Sequence, residues 1–284
     1  MPPVSTSPKL TAISNEINIL MALLHLNAYD FCLSANTKDH LSLVIILPQE
    51  YNRAVEVNHV KKTIYHGSDH IIEEPQYGYG KSYNDYGVGF YCTENPNMAK
   101  EWGVGNDHNG YANEYRIECD GLNILDLNVP EYTMLHWLAI LLENREFDVS
   151  TPLASEAKDY FLQNFHTDYK NADVIIGYRA DDSYFSFASD FINGAISYRQ
   201  LCNAMCLGKL GQQFVLKSKK AFDQLEFLGY DIADAKEWYK KKAFRDQSAR
   251  RQYFDIEGNR RQRGDLYITT ILDEEMKPSD SRLR

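Results

Sequence analysis

Apolar residues at Ile13, Ile17, Leu20, Leu24 and Phe31 recur with helical spacing, so a loose tail over residues 1–10 gives way to a predicted helix, Ile13–Leu33. Leu41–Leu47, an apolar run stopped by Pro48, reads as a short buried strand. The texture changes at Thr63. Thr63–Tyr65 reads as a strand running into His66-Gly67-Ser68, and the Gly- and Tyr-rich stretch Gly78–Gly89 as loop. Gly89–Thr93 is strand-like, and Pro96–Trp102 is a short helix with proline in its first turn. Tyr115–Cys119 and Asn123–Leu127 are predicted strands around an Asp120-Gly121 turn. Two amphipathic helices come next, Pro130–Asn144 and Pro152–Phe165, the second capped by Ser150 or Thr151. Val174–Tyr178 reads as a buried strand, Tyr198–Leu210 as a helix, Gln213–Lys217 as a strand and Ser218–Leu225 as a short helix. Beyond Ala233 the chain is charged and partly helical. Strands and helices do not alternate regularly, which predicts an α+β fold rather than a doubly wound sheet. The expected organisation is an N-terminal extension over residues 1–60, a central domain over 61–230 and a basic helical C-terminal extension over 231–284.

Composition narrows the classes. A chain of 284 residues, 44% hydrophobic and 25% charged, can bury a core and is not disordered throughout. A net charge of −10 argues against a protein that coats nucleic acid with its whole surface. The charge is uneven, however. Lys236–Arg263 contains ten Lys or Arg against four Asp or Glu, a net of +6 that leaves −16 for the rest. One reading is a solvated helical face in which Glu237, Asp246 and Asp255 pair internally. The other is a docking surface for an acidic partner, either a nucleic acid or a neutralising protein, with Tyr239, Tyr253 and Phe254 placed to stack on bases. Five cysteines, an odd number in a chain of this length, argue against a disulfide framework, and Cys202 and Cys206 read as buried small residues. Ile17–Leu26 is too short to span a bilayer and lacks a basic flank, so the expectation is a cytoplasmic protein with no membrane association.

Several common chemistries are missing from the sequence. Gly78-Tyr79-Gly80 and Gly87-Val88-Gly89 each lack the third glycine and following helix of a dinucleotide fingerprint, and there is no P-loop, GxSxG or HExxH. His66 and His70 have metal-ligand spacing for a helix, but Gly67 between them makes a helix a poor expectation, and no metal is called for.

Three features remain, in order: Tyr65-His66-Gly67-Ser68 at a strand end; Asp85-Tyr86-Gly87-Val88-Gly89-Phe90-Tyr91-Cys92-Thr93 followed by a helix carrying Trp102; and Gly211-Gln212-Gln213-Phe214-Val215-Leu216 on a late strand. This order resembles the ADP-ribosyltransferase superfamily, in its poly(ADP-ribose) polymerase and diphtheria-toxin branch. Thr63 to Leu228 is also similar to a bacterial family of uncharacterised function placed in that superfamily, with YHGS, DFGxGFY and, in some members, GYRADDSYF, here Gly177–Phe185. The resemblance implies a split β-sheet core with helical insertions and extensions. It implies a mono-ADP-ribosyltransferase, toxin-like and so a partner for a neutralising antitoxin protein, that takes NAD+ as substrate and modifies a protein or nucleic-acid acceptor. The catalytic set it implies is His66, Tyr91 and Gln212. Gly67, Ser68, Gly89, Phe90, Thr93, Trp102, Asp181 and Asp182 join His66 and Tyr91 in holding NAD+.

The chemistry suits those residue types. Cleaving the nicotinamide–ribose bond passes through an oxocarbenium-like state, as glycoside cleavage does. His66 can bond a ribose hydroxyl, Gly67 offers unobstructed backbone to a carboxamide, Tyr91 and Trp102 offer flat faces, and Ser68 and Thr93 offer hydroxyls. Gln212 stands where the resemblance implies Glu. An amide can still hydrogen-bond a ribose hydroxyl but cannot offset developing positive charge. Three readings stay open: transfer of a single ADP-ribose; replacement of the carboxylate by Asp181, Asp182 or Glu226; or NAD+ held without turnover; polymer synthesis is not expected in any of them. NAD+ hydrolysis to water is a further enzymatic alternative.

Overall fold

Two small sheets meeting at one seam organise the chain. The computed structural model describes residues 60–180, 182–207, 211–257 and 262–284. The expected helix Ile13–Leu33, the strand Leu41–Leu47 and most of the N-terminal extension lie outside the described residues. In the first sheet β1 (Lys61–Ser68) pairs antiparallel with β3 (Gly110–Glu118), and β3 pairs antiparallel with β7 (Leu225–Ala233). The second sheet has the order β2 (Phe90–Cys92), β6 (Gln212–Leu216), β5 (Val174–Tyr178), β4 (Ile124–Asp126), with β4 and β5 parallel and the other pairs antiparallel. The seam is made by Tyr65 and Thr93, which exchange two backbone hydrogen bonds of 2.8 and 2.9 Å. The fold is thus mixed α+β.

Strand alternation sends side chains into two apolar clusters. Ile64, Phe90, Tyr115, Ile117, Phe214 and Leu216 fill the space between the sheets. Ile175 and Val215 point the other way, into a larger cluster built on α2 (Met134–Asn144), α3 (Pro152–Asn164), α4 (Asp182–Ile192) and α5 (Tyr198–Met205). In α2 every residue from Met134 to Leu142 is buried, so this helix is the spine of that cluster. Thr151 caps α3 through its hydroxyl, which accepts the Ala154 N–H, as the sequence predicts.

The helix nearest the seam is α1 (Pro96–Gly103). Asn95 caps it by accepting from the Asn97 and Met98 N–H groups, and proline occupies its first position. This helix lies so close to β1 that a Cβ on Gly67 would stand 2.0 Å from the Ala99 carbonyl oxygen and 2.8 Å from Trp102 Cβ. Gly67 is therefore a packing requirement before it is a ligand contact.

The two strands expected around the Asp120-Gly121 turn are present, with Gly121 at φ 71, and they belong to different sheets, β3 to the first and β4 to the second. Other expectations need correction. The segment after the short helix α6 (Lys219–Asp223) is a nine-residue strand, β7, so a domain boundary at 230 falls inside a strand. The chain beyond β7 packs with the preceding residues. Residues 59–284 pack as one unit, and α7 (Ala235–Glu257) is tied back by an ion pair of 2.7 Å between Arg245 and Glu101, both about nine-tenths buried. Tyr253, expected to be available for stacking, is buried with its ring on Phe187 at 3.9 Å. The last helix is α8 (Ile268–Asp273). Of the cysteine pair, Cys202 is half-buried and Cys206 exposed. Among the described residues no helix is long and apolar enough to cross a membrane.

Candidate functional site

A cleft of about 970 Å³ opens beside the seam, walled by the end of β1, the loop from Gly78 to Gly89, β2, Trp102 of α1, Gln213 of β6 and the inner face of α7. His66 forms its floor. Its Nδ1 lies 2.7 Å from the Tyr91 carbonyl oxygen, which can only accept, so Nδ1 carries the proton and Nε2 is left as a hydrogen-bond acceptor. Its ring stacks on Phe90 at 4.3 Å. Burial pushes the His66 imidazole down to about 4, which keeps it neutral at physiological pH.

Tyr91 spends its hydroxyl on the loop, donating to the Gly87 carbonyl at 2.6 Å and accepting the Tyr86 N–H at 3.0 Å. With its hydroxyl engaged, what the Tyr91 side chain offers the cleft it lines is its ring. Gly87, at φ +72, supplies the turn that brings that carbonyl back. Lys217 secures the same turn by donating to the Tyr86 and Val88 carbonyls at 2.5 Å each, and burial lowers its amine to about 8.

The remaining sequence-predicted residues divide. Gly67, Ser68, Gly89, Phe90 and Trp102 line the cleft. The Ser68 hydroxyl is already engaged, donating to the His70 carbonyl and accepting from Asn113 at 2.9 Å. Trp102 has the Arg179 guanidinium 4.2 Å from its ring centre, so that face is taken, while its Nε1–H is buried without a partner. Thr93 is buried outside the lining, and its hydroxyl accepts the Asn95 N–H. Asp181 lies outside the described residues, and Asp182 begins α4. Glu226 is an exposed partner of Arg116 on the sheet, away from the cleft.

Gln212 requires a correction. It is exposed and is not in the cleft wall; its neighbour Gln213 is. Successive strand side chains alternate, and with Phe214 and Leu216 packed between the sheets, Gln212 shares their side while Gln213 shares that of Val215. Gln213 is only 6% exposed, and its Oε1 is buried without a hydrogen-bond partner. A buried acceptor left open costs about 1–3 kcal/mol, so this oxygen calls for a partner, a bound water or a ligand donor.

Other contributors escape a reading of the sequence. Asn113 on β3 is fully buried. Its side-chain amide donates to the His66 carbonyl, the Ser68 hydroxyl and the His70 carbonyl, and its oxygen accepts the Ile72 N–H, fixing the chain after β1. Asp85, 4% exposed, accepts from Arg145 at 3.0 Å and from the Ala180 N–H at 2.8 Å, joining three segments of the wall. The one signal for it is its place at the head of the Asp85–Thr93 motif. Lys81, Arg145, Arg179, Lys242, Arg245 and Arg250 line the cleft against Asp85 and Asp246, and with Glu101, which pairs with Arg245 behind the lining, three positive charges remain in excess in a chain of −10. Acceptors at His66 Nε2 and Gln213 Oε1, aromatic faces and this cationic wall match a ligand with hydroxyl donors, a flat ring and phosphate.

A family model described as "Protein of unknown function (DUF3990)" matches residues 62–227, from the second residue of β1 into β7. Neither a curated protein nor a solved structure matches the chain. The matched segment holds His66, Tyr91, Trp102 and Gln213 and spans more than half of the sequence, so this chain belongs to the DUF3990 family.

Proposed function

We propose that the cleft binds NAD+ and that the protein transfers ADP-ribose from it to a macromolecular acceptor. The observation that carries this reading is that one cavity is lined by His66, whose Nε2 is left as an acceptor, by Tyr91 and by Gln213, whose buried amide oxygen has no partner. In the proposed reaction the bond between the ribose C1′ and the nicotinamide nitrogen breaks, and its electron pair leaves with nicotinamide. An acceptor oxygen or nitrogen then bonds C1′ and gives up its proton. His66 and Gln213 would accept hydrogen bonds from ribose hydroxyls, Tyr91 would stack on the nicotinamide ring, and the arginines would offset the diphosphate charge. The resemblance to ADP-ribosyltransferases supports the same assignment, with Gln213 taking the role expected of Gln212.

One observation favours a second reading, NAD+ binding without turnover. The strand residue in the cleft is an amide, and the buried carboxylate there, Asp85, is already neutralised by Arg145. Incubation with radiolabelled NAD+ separates the cases: label on a macromolecule supports transfer, nicotinamide release alone supports hydrolysis, and retention of intact NAD+ supports a binding module. Gln213→Glu places a carboxylate where positive charge develops and is expected to raise nicotinamide release by about 10²-fold. Gln212→Glu, on the opposite face, is expected to leave it unchanged. Equal effects of the two substitutions would overturn the assignment of Gln213.

A further inference from the structure

The basic segment Lys236–Arg263 is divided by α7 into two faces with different roles. Trp238, Lys242, Arg245, Ala249 and Tyr253 turn inward, toward the cleft and core. On the opposite side Lys240, Phe244, Gln247, Arg251 and Phe254 recur at spacings of four, three, four and three, and all five are exposed. Phe244 is 74% exposed and Phe254 68%. Two phenyl rings this open on an otherwise charged helix face have no role in the core. They are ten positions apart, about 15 Å along the helix axis.

This stripe is continuous with the cleft. A shallow groove lined by Lys240, Phe244 and Gln247 also takes in Asp246 and Arg250, both of which line the cleft. Lys240, Arg250 and Arg251 have no ion-pair partner among the described residues, whereas Lys241 is held by Glu237 at 2.5 Å. The internal pairing that would neutralise a merely solvated face is thus missing along this track. Cations alternating with open aromatic rings suit a chain of phosphates carrying unpaired bases: the charges follow the backbone, and each ring accepts a base of any identity. A duplex hides the faces of its bases, and an acidic polypeptide has no flat groups for the two phenyl rings.

We infer that the outer face of α7 binds single-stranded nucleic acid and leads it to the mouth of the cleft. The inference rests on the proposed ADP-ribosyl transfer only in making that strand the acceptor; binding of the strand stands apart from it.

The test is fluorescence anisotropy of a labelled single-stranded oligonucleotide with the full chain, set beside calorimetric titration of NAD+. Phe244→Ala with Phe254→Ala is expected to weaken oligonucleotide binding at least tenfold, at about 5-fold or more per stack removed. NAD+ binding should stay at the wild-type level. Lys240→Ala with Arg251→Ala should flatten the dependence of binding on salt, by about 0.7 in slope for each phosphate no longer neutralised. A duplex of the same sequence and poly-glutamate should bind more weakly than the single strand. No oligonucleotide binding at low salt, equal binding of poly-glutamate, or full binding by the double phenylalanine variant would each overturn the inference, and poly-glutamate preference would point to an acidic protein partner instead. Absence of NAD+ binding in the wild type, with oligonucleotide binding intact, would sink the transferase reading and leave this surface standing.

Discussion

Replacing Gly67 by alanine adds a single methyl group at the point where β1 meets α1. That carbon would sit 2.0 Å from the Ala99 carbonyl oxygen, 2.9 Å from the Ala99 carbonyl carbon and 2.8 Å from Trp102 Cβ. Two of these three atoms are helix backbone, so no side-chain rotation relieves the clash and α1 must move. Forcing a methyl into a well-packed site costs about 1–3 kcal/mol, and with backbone as the obstacle the upper end applies. For a unit spanning residues 59–284 each kcal/mol shifts the melting temperature by about 2–4 °C, so the expected fall is about 6–12 °C. Thermal unfolding followed by circular dichroism reads this directly. Gly78→Ala is the comparison: Gly78 has φ +78 but nothing within 4 Å of an added Cβ, so it incurs the left-handed backbone cost alone, about 1–2 kcal/mol. If Gly67→Ala melted within about 2 °C of the wild type, or no lower than Gly78→Ala, the close approach of α1 would be refuted, and with it the position of Trp102 in the wall.

Asp85→Ala should destabilise by about 3 kcal/mol, because Arg145 loses its carboxylate and the Ala180 N–H its acceptor; an unchanged urea midpoint would show that this ion pair holds nothing together. Stability should fall as pH drops from about 6.5 to about 4. The unfolded chain takes up a proton at His66 that the folded protein refuses, a loss of at most about 3 kcal/mol. In His66→Gln that part of the acid dependence should vanish, and a variant with the wild-type slope would remove His66 as its cause. Asn113→Ala should loosen the chain after β1, seen as faster amide exchange at Ile72, whose N–H it binds at 3.0 Å; wild-type protection there would contradict that role.

Much of the core fold is legible in the sequence because its signals are local. Pro96 announces one helix and Thr151-Pro152 another through cap and proline, and Val174–Tyr178 is a plain buried run. β7 escapes because its pattern is broken: Gly229 interrupts it, an irregularity falls at Glu114/Tyr115 on the partner strand, and Leu228, Tyr230 and Ile232 are exposed at the sheet edge. Without that strand the domain boundary moves and α7 stands apart, so its contribution to the cleft cannot be foreseen. His66, Tyr91 and Trp102 carry enough motif context to be singled out. The Gln pair carries none: with two identical residues in sequence, the face is decided by which neighbours fill the space between the sheets, a tertiary fact. Asp85 and Asn113 act through partners 60 to 95 and 41 to 47 residues away respectively, distances at which spacing gives no warning.

The proposed NAD+ site, completed by Gln213 with His66 and Tyr91, stands or falls on a calorimetric titration of NAD+ into the wild type, Gln213→Ala and Gln212→Ala. We expect saturable binding to the wild type, the same affinity for Gln212→Ala, and about tenfold weaker binding for Gln213→Ala, the worth of one hydrogen bond to a buried acceptor. No binding to the wild type, or equal affinity for all three proteins, would contradict it.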